Sequence, residues 1–283
     1  MGFFIILGLL GGCANLPQTA AILERLPSDI PSRVELENVP FFPQDDFQCG
    51  PASLATVLNA SGIKIEPETL VSQVYIPSKK GSLQIEMLTA IRRQGRIAYE
   101  LQPQLIDILR EIHAGRPVLV LENFNSGFSQ TWHYAVVVGY DLNREELISR
   151  SGINRRETLS FNTFEYIWKQ AGYWAYIVLP LDELPATVNE NQYAQSASAL
   201  EESGHLSHAK IAYQTAYLKA HHTSSFLAAS MSADMNNTDN IHLLFDDCKI
   251  NNVELLPPDV NESSYKFIPL DNNQILYGLG AIK

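Results

Sequence analysis

The run Val39-Pro40-Phe41-Phe42-Pro43-Gln44-Asp45-Asp46-Phe47-Gln48-Cys49-Gly50-Pro51-Ala52-Ser53-Leu54 constrains the fold of this chain more than any other stretch. Pro40 and Pro43 fix φ, remove backbone donors and keep their predecessors out of helical geometry. The segment 34–48 therefore reads as an extended entry strand. Pro51 is tolerated only in the first turn of a helix, where its missing N–H costs nothing. Leu54, Val57 and Leu58 form one apolar stripe at spacings of three and four, and Gly62 supplies a stop. The pattern predicts a helix over 49–59 with Cys49 and Gly50 at its N-terminus. Unpaired N–H groups and the macrodipole favour negative charge there, which is what a thiol needs to act as a nucleophile. Gly50 leaves the approach to the sulfur uncrowded.

A nucleophilic cysteine needs a base within hydrogen-bond reach. Five of the seven histidines (205, 208, 221, 222 and 242) fall in the C-terminal third, and His113 ends a helix pattern before Gly115. His133 instead opens the run His133-Tyr134-Ala135-Val136-Val137-Val138-Gly139-Tyr140, at the mouth of a core strand that would hold its ring rigidly. Gln44, on the extended segment, is placed to offer a side-chain amide to an oxyanion beside the Cys49 N–H, with Gln48 as the adjacent alternative. Asp141 lies eight residues from His133, about 26 Å along a strand rising roughly 3.3 Å per residue, and reads as a turn residue.

Further helices are expected over 67–74, 83–94 and 104–113, and strands over 118–121, 134–140, from 147 onward, and over 174–179. This order implies an α+β domain with a largely antiparallel sheet. After a boundary at 180–185, residues 193–220 turn helical. Ala197, Leu200, Gly204, Ala209, Tyr213 and Ala216 fall at the spacing of a tetratricopeptide helix pair, with Ala229, Ile241 and Phe245 as a degenerate second unit. An ordinary helical hairpin is the alternative. Too few repeats are present to stand alone, so they are expected to dock on the first domain. Residues 251–283 carry two strand-like pieces of unknown role.

The net charge of −11, without a basic stripe, excludes a nucleic-acid partner. No cysteine or carboxylate cluster completes a metal-ligand set around the paired histidines, so neither metal nor other cofactor is expected. At the N-terminus, Phe3 to Leu10 is too short an apolar run to span a bilayer and reads as an export signal. Its ending, Leu10-Gly11-Gly12-Cys13, resembles a bacterial lipobox, although no Lys or Arg precedes the run. That resemblance implies lipidation of Cys13 and, with Ala14 following, an outer-membrane address facing the periplasm. Residues 1–13 would then be the signal and 14–35 a tether. An oxidising compartment would also permit a Cys49–Cys248 disulfide, the weaker account of Cys49.

The Gln44…Cys49-Gly50-Pro51-Ala52-Ser53-Leu54 block together with Trp132-His133-Tyr134-Ala135-Val136-Val137-Val138-Gly139-Tyr140 resembles the bacteriocin-leader-processing cysteine peptidases. It is more similar still to their stand-alone lipoprotein relatives with C-terminal tetratricopeptide repeats. The likeness covers residues 36–181 and implies a papain-like fold and peptide-bond hydrolysis through a thioacyl-enzyme. By position, Cys49 would be nucleophile, His133 base and Gln44 oxyanion donor. The family's Asp-Pro after the histidine strand is replaced by Ser151-Gly152, so Ser151 fills the place of the imidazole-orienting Asp, with Asn154 as the other candidate. The expected partners are a peptide or protein substrate, the membrane through the lipid, and a protein held by the helical repeats at 188–250. The competing readings are a peptidase-like peptide-binding lipoprotein that no longer cuts, and an acyltransferase using the same dyad.

Overall fold

The computed structural model describes residues 16–44, 48–124, 131–270 and 273–282. In chain order the elements are α1 (Pro17–Glu24), β1 (Arg33–Glu35), α2 (Cys49–Ala60), α3 (Pro67–Val74), β2 (Tyr75–Ile76), β3 (Gly81–Ser82), α4 (Gln84–Arg93), β4 (Ile97–Glu100), α5 (Leu105–His113), β5 (Val118–Asn123), β6 (Trp132–Asp141), β7 (Glu146–Ser151), β8 (Asn154–Ser160), α6 (Phe161–Gln170), β9 (Ala175–Leu179), α7 (Glu190–Glu202), α8 (Leu206–His221), α9 (Thr223–Ala233), α10 (Thr238–Ile250), β10 (Glu254–Leu256), β11 (Ile268–Leu270) and β12 (Gln274–Leu276).

One antiparallel sheet organises the first two thirds. Its strands run β4-β9-β5-β6-β7-β8, with β1 pairing with β6 beyond the end of β5. Strand alternation divides the apolar residues between two cores. On β6, Ala135 and Val137 face one core while Tyr134, Val136 and Val138 face the other. β5 divides the same way, with Val118 and Val120 on the first face and Leu119 and Leu121 on the second. The first core is completed by α5, α6, α7 and α8, and the second by α2, α3 and α4. The α+β, antiparallel expectation is therefore met.

A bulge between Val137 and Gly139 shifts the register of β6 against β7. Gly139 is required there because a Cβ would lie 2.7 Å from the Val34 carbonyl oxygen of β1.

The segment expected as a tether over 14–35 is, from residue 16 on, part of the domain. Glu165, fully buried on α6, accepts hydrogen bonds from Gln18 N–H (3.0 Å), Thr19 N–H (2.7 Å) and the Thr19 hydroxyl (2.7 Å) at the start of α1. Asn162 Oδ1 accepts from Leu16 N–H at 2.7 Å. A buried carboxylate is thus neutralised by the orphan donors of a helix N-terminus, where the macrodipole also favours it. Ile22 and Ile30 then join the first core. The proline-rich run 39–43 pairs with no strand; prolines at 40 and 43 cannot donate to a ladder.

The C-terminal third also divides differently from the expected 188–250 and 251–283. α7 and α8 form a hairpin turned by Gly204 (φ +82°), and Tyr193, Ala197, Leu200, Ala209 and Ala212 belong to the first core. Their docking matches the expectation that such helices lean on the first domain. α9 and α10 instead share a separate core with the strands, built on Leu227, Ala228, Met231, Ile241, Cys248, Phe267 and Ile275. The strands form a small sheet in the order β10-β12-β11. Ala229, expected inside a second repeat, is exposed, because the buried positions of α9 are one or two residues away. Among the described residues no helix is long and apolar enough to cross a membrane.

Candidate active site

α2 begins at Cys49, as the placement of Pro51 requires, and lies on the face of the sheet that carries Tyr134. Its first turn is fixed by packing rather than by a cap, since Gln48 at the N-cap makes no side-chain capping bond. Gly50 is buried, and a Cβ at this position would fall 2.2 Å from Ser82 Oγ. The short β2–β3 hairpin therefore presses directly on the nucleophile's neighbour. Tyr134 binds this hairpin through its hydroxyl, which donates to the Ser82 carbonyl at 3.2 Å. Ser53, one helical turn after Cys49, donates to the Tyr134 carbonyl at 3.0 Å and ties α2 to β6. The Gln44 side-chain amide lies 3.4 Å from Ser53 Oγ, and its backbone N–H donates to the Gly152 carbonyl at 3.1 Å. Gln44 is thus held over the first turns of α2, between the helix and the turn after β7.

Cys49 is half-buried, and the nearby backbone N–H groups of Tyr134, Gly50 and Cys49 itself favour its thiolate form. Burial outweighs these donors and pushes the thiol above its ordinary value. The sequence-based expectation of a thiol already favoured as thiolate is corrected here, because desolvation disfavours the charged form more than the helix start favours it. His133 is also largely enclosed, and burial holds its imidazole below the usual value, while Glu157 pulls weakly the other way. The Tyr134 N–H, next in the chain to His133, is among the groups that act on the Cys49 sulfur. Among the described residues no hydrogen bond joins that sulfur to the imidazole.

The imidazole is oriented from the other side. His133 Nε2 lies 3.0 Å from the Ser151 hydroxyl, which is buried at the end of β7. With Nε2 so engaged, Nδ1 is the ring nitrogen left for the cysteine. Of the two candidates for this role, Ser151 reaches the ring while Asn154 is exposed on β8. Phe124 closes the same flank, with its ring centroid 6.3 Å from that of His133. Asp141 Oδ1 accepts from the N–H groups of Asn143 and Arg144, both at 3.0 Å, which is the work of a turn residue.

Cys49 and Cys248 are both free thiols, with no disulfide between them. Cys13, the expected lipidation site, lies outside the described residues.

One buried group near the site escaped sequence reasoning. Glu122 on β5 is directly opposite His133 in the strand register, is 1% exposed, and leaves Oε2 without a hydrogen-bond partner. Its signal was present: an acid continuing the apolar run Val118 to Leu121 has no place in a core strand unless something nearby accounts for it.

A cysteine starting a helix, packed against an antiparallel sheet whose strand mouth carries a histidine, defines the papain-like class of cysteine peptidase folds. Residues 36–176 match the Peptidase_C39 like family. Among solved structures, the chain is similar to a C39-like peptidase from Bacillus anthracis, at 21% identity over 52% of this chain and 98% of that one, with a TM-score of 0.43. It is also similar to a double glycine motif protease from an AMS/PCAT transporter, solved in complex with the leader peptide, at 21% identity over 50% and 92% of the two chains, with a TM-score of 0.40. A separate likeness concerns 76 residues that are 53% identical to the DNA polymerase III α subunit of Neisseria meningitidis and 46% identical to that of Escherichia coli K12. The chain spans 7% of the length of these polymerase subunits, and the matched stretch is 27% of this chain.

Proposed function

We propose that this chain hydrolyses peptide bonds with Cys49 as nucleophile and His133 as general base. The observation that carries the reading is the anchoring of both groups on one stretch of β6: the helix that begins at Cys49 is tied to the Tyr134 carbonyl through Ser53, and the imidazole of the preceding residue is held by Ser151 through Nε2. On attack at a substrate carbonyl, the Cys49 proton passes to His133 Nδ1 and the sulfur forms the thioacyl bond. The Cys49 N–H and the Gln44 amide face the oxyanion. Imidazolium then returns the proton to the leaving amine, and water releases the acyl group. The apolar N-terminal run and its Leu-Gly-Gly-Cys ending support a lipid-anchored, periplasm-facing placement, with exported peptides or envelope proteins as substrates.

A second reading, peptide binding without cleavage, is favoured by one specific observation. A serine hydroxyl supports the imidazole where the family resemblance implies a carboxylate, and a hydroxyl offers no charge to stabilise imidazolium. Turnover of a quenched peptide library by the wild type, against Cys49→Ala and His133→Ala, separates the two. Turnover lost in both variants supports hydrolysis; background turnover in all three leaves binding alone.

The polymerase likeness supports no polymerase activity here. The separate core of α9, α10 and the small sheet supports reading that unit as an appended segment rather than as further tetratricopeptide repeats.

A further inference from the structure

Four side chains occupy one face of adjacent strands at the site: Glu122 on β5, His133 on β6, Ser151 on β7 and Glu157 on β8. Register and alternation put them there. Glu122 pairs with His133, as Val120 pairs with Ala135 and Val118 with Val137, all on the face of the first core. Ser149 pairs with both Val137 and Glu157, and Ser151 follows two residues on. Directly opposite residues of an antiparallel pair have Cβ atoms about 4.5–5.5 Å apart, so the Glu122 and His133 side chains leave the sheet from adjacent positions on one face. Glu122 Oε2 is buried without a hydrogen-bond partner, unlike Glu111 and Glu165, whose buried carboxyls are fully engaged.

We propose that Glu122 is a positioning residue for His133, supplying from β5 the counter-charge that Ser151 on β7 cannot supply. This rests on the peptidase reading for its purpose, though not for its test. When the Cys49 S–H bond breaks and the proton reaches Nδ1, the imidazolium lies beside Glu122. A carboxylate there favours the charged ring, whereas a protonated carboxyl does not. Burial and the neighbouring Glu157 push the Glu122 carboxyl up to about 8, so its proton leaves to water as the pH rises through that value.

The charged groups of the elements packed against β5 are otherwise committed. On α6, Glu165 binds α1 and Lys169 is exposed. On α5, Arg110 pairs with Asp29 and Asp107, and Glu111 holds Thr187 and Arg116. Tyr176 on β9 lies on the opposite face with Arg92, and α2 brings only Cys49. His133 and Glu157 remain as the titratable groups facing Glu122.

The test uses the full chain as wild type, Glu122→Gln and Glu122→Asp. The His133 ring resonances are followed by NMR, and the rate of Cys49 alkylation by iodoacetamide is followed over the same pH range. In the wild type the ring resonances show an inflection near pH 8, apart from the imidazole's own titration, as Glu122 ionises, and alkylation gains a step of about tenfold there, above the thiol's own rise, as the new carboxylate stabilises the thiolate–imidazolium pair. Glu122→Gln removes the inflection and the step, and Glu122→Asp keeps part of both. An inflection and an alkylation profile that are unchanged in Glu122→Gln overturn the proposal. If Glu122→Gln does not fold, a Glu122→Asp variant indistinguishable from wild type in both readouts overturns it equally. An inflection lost in Glu122→Gln without peptide turnover in the wild type would leave the pairing standing and remove the peptidase reading, and turnover with an unchanged inflection would do the reverse.

Discussion

Replacing Glu122 by Gln should make the protein more stable at alkaline pH, with little difference in acid. In the unfolded chain a glutamate titrates near 4.5, whereas burial in the fold pushes this one up to about 8. The folded state therefore binds one more proton than the unfolded state between these values. Its contribution to stability is fully present below about 4.5 and is lost as the pH rises toward 8. Each unit of that interval is worth about 1.4 kcal/mol, so the wild type loses roughly 3–4 kcal/mol between pH 5 and pH 8 from this group alone. Gln has nearly the same shape and no proton to lose, so the difference between the two proteins isolates the one carboxyl. At roughly 2–4 °C per kcal/mol for a chain of this size, the wild-type midpoint should fall about 10 °C further than that of Glu122→Gln over this range. Thermal unfolding followed by circular dichroism at pH 5, 6.5 and 8 measures it. Parallel decline of the two midpoints would refute the reasoning, because a buried carboxyl that ionises as readily in the fold as in the unfolded chain cannot separate them.

Two further substitutions probe the geometry around the nucleophile. Ser151→Asp should raise the His133 titration and increase peptide turnover by roughly tenfold or more, since a charge within about 4–6 Å favours imidazolium; a drop in turnover with the fold intact would show that the hydroxyl is needed as such. Gly50→Ala should destabilise by about 1–3 kcal/mol, the usual cost of overpacking, because its Cβ meets Ser82 Oγ at 2.2 Å. Ser82→Gly in the same chain should recover most of that loss in a denaturant titration, and no recovery would place the strain elsewhere.

The parts of this structure that were legible in the sequence are those where one physical constraint spoke alone. Pro51 could only start a helix, and α2 begins at Cys49. The valine-rich run could only be a core strand, and β6 covers it with one or two residues to spare at each end. β8 was missed because Asn154 to Ser160 carries no apolar alternation and is held by pairing with β7 alone. α6 could have been found, since Ser160 caps it through the Thr163 N–H and Phe161, Phe164, Ile167 and Trp168 share one face. The docking of α1 was illegible because its partner, Glu165, lies 146 residues away and is matched to it only by the folded chain. The resting protonation of the dyad was misread for a related reason: a helix start is visible in sequence, whereas the burial that opposes it is not.

The strand that carries His133 is paired with β5 over Trp132 to Val137 and then with β1 over Gly139 to Asp141 on one side, and with β7 only from Val136 to Asp141 on the other. The end that bears the imidazole is thus laced on a single flank, and the Ser151 hydroxyl is what steadies the ring on the open one.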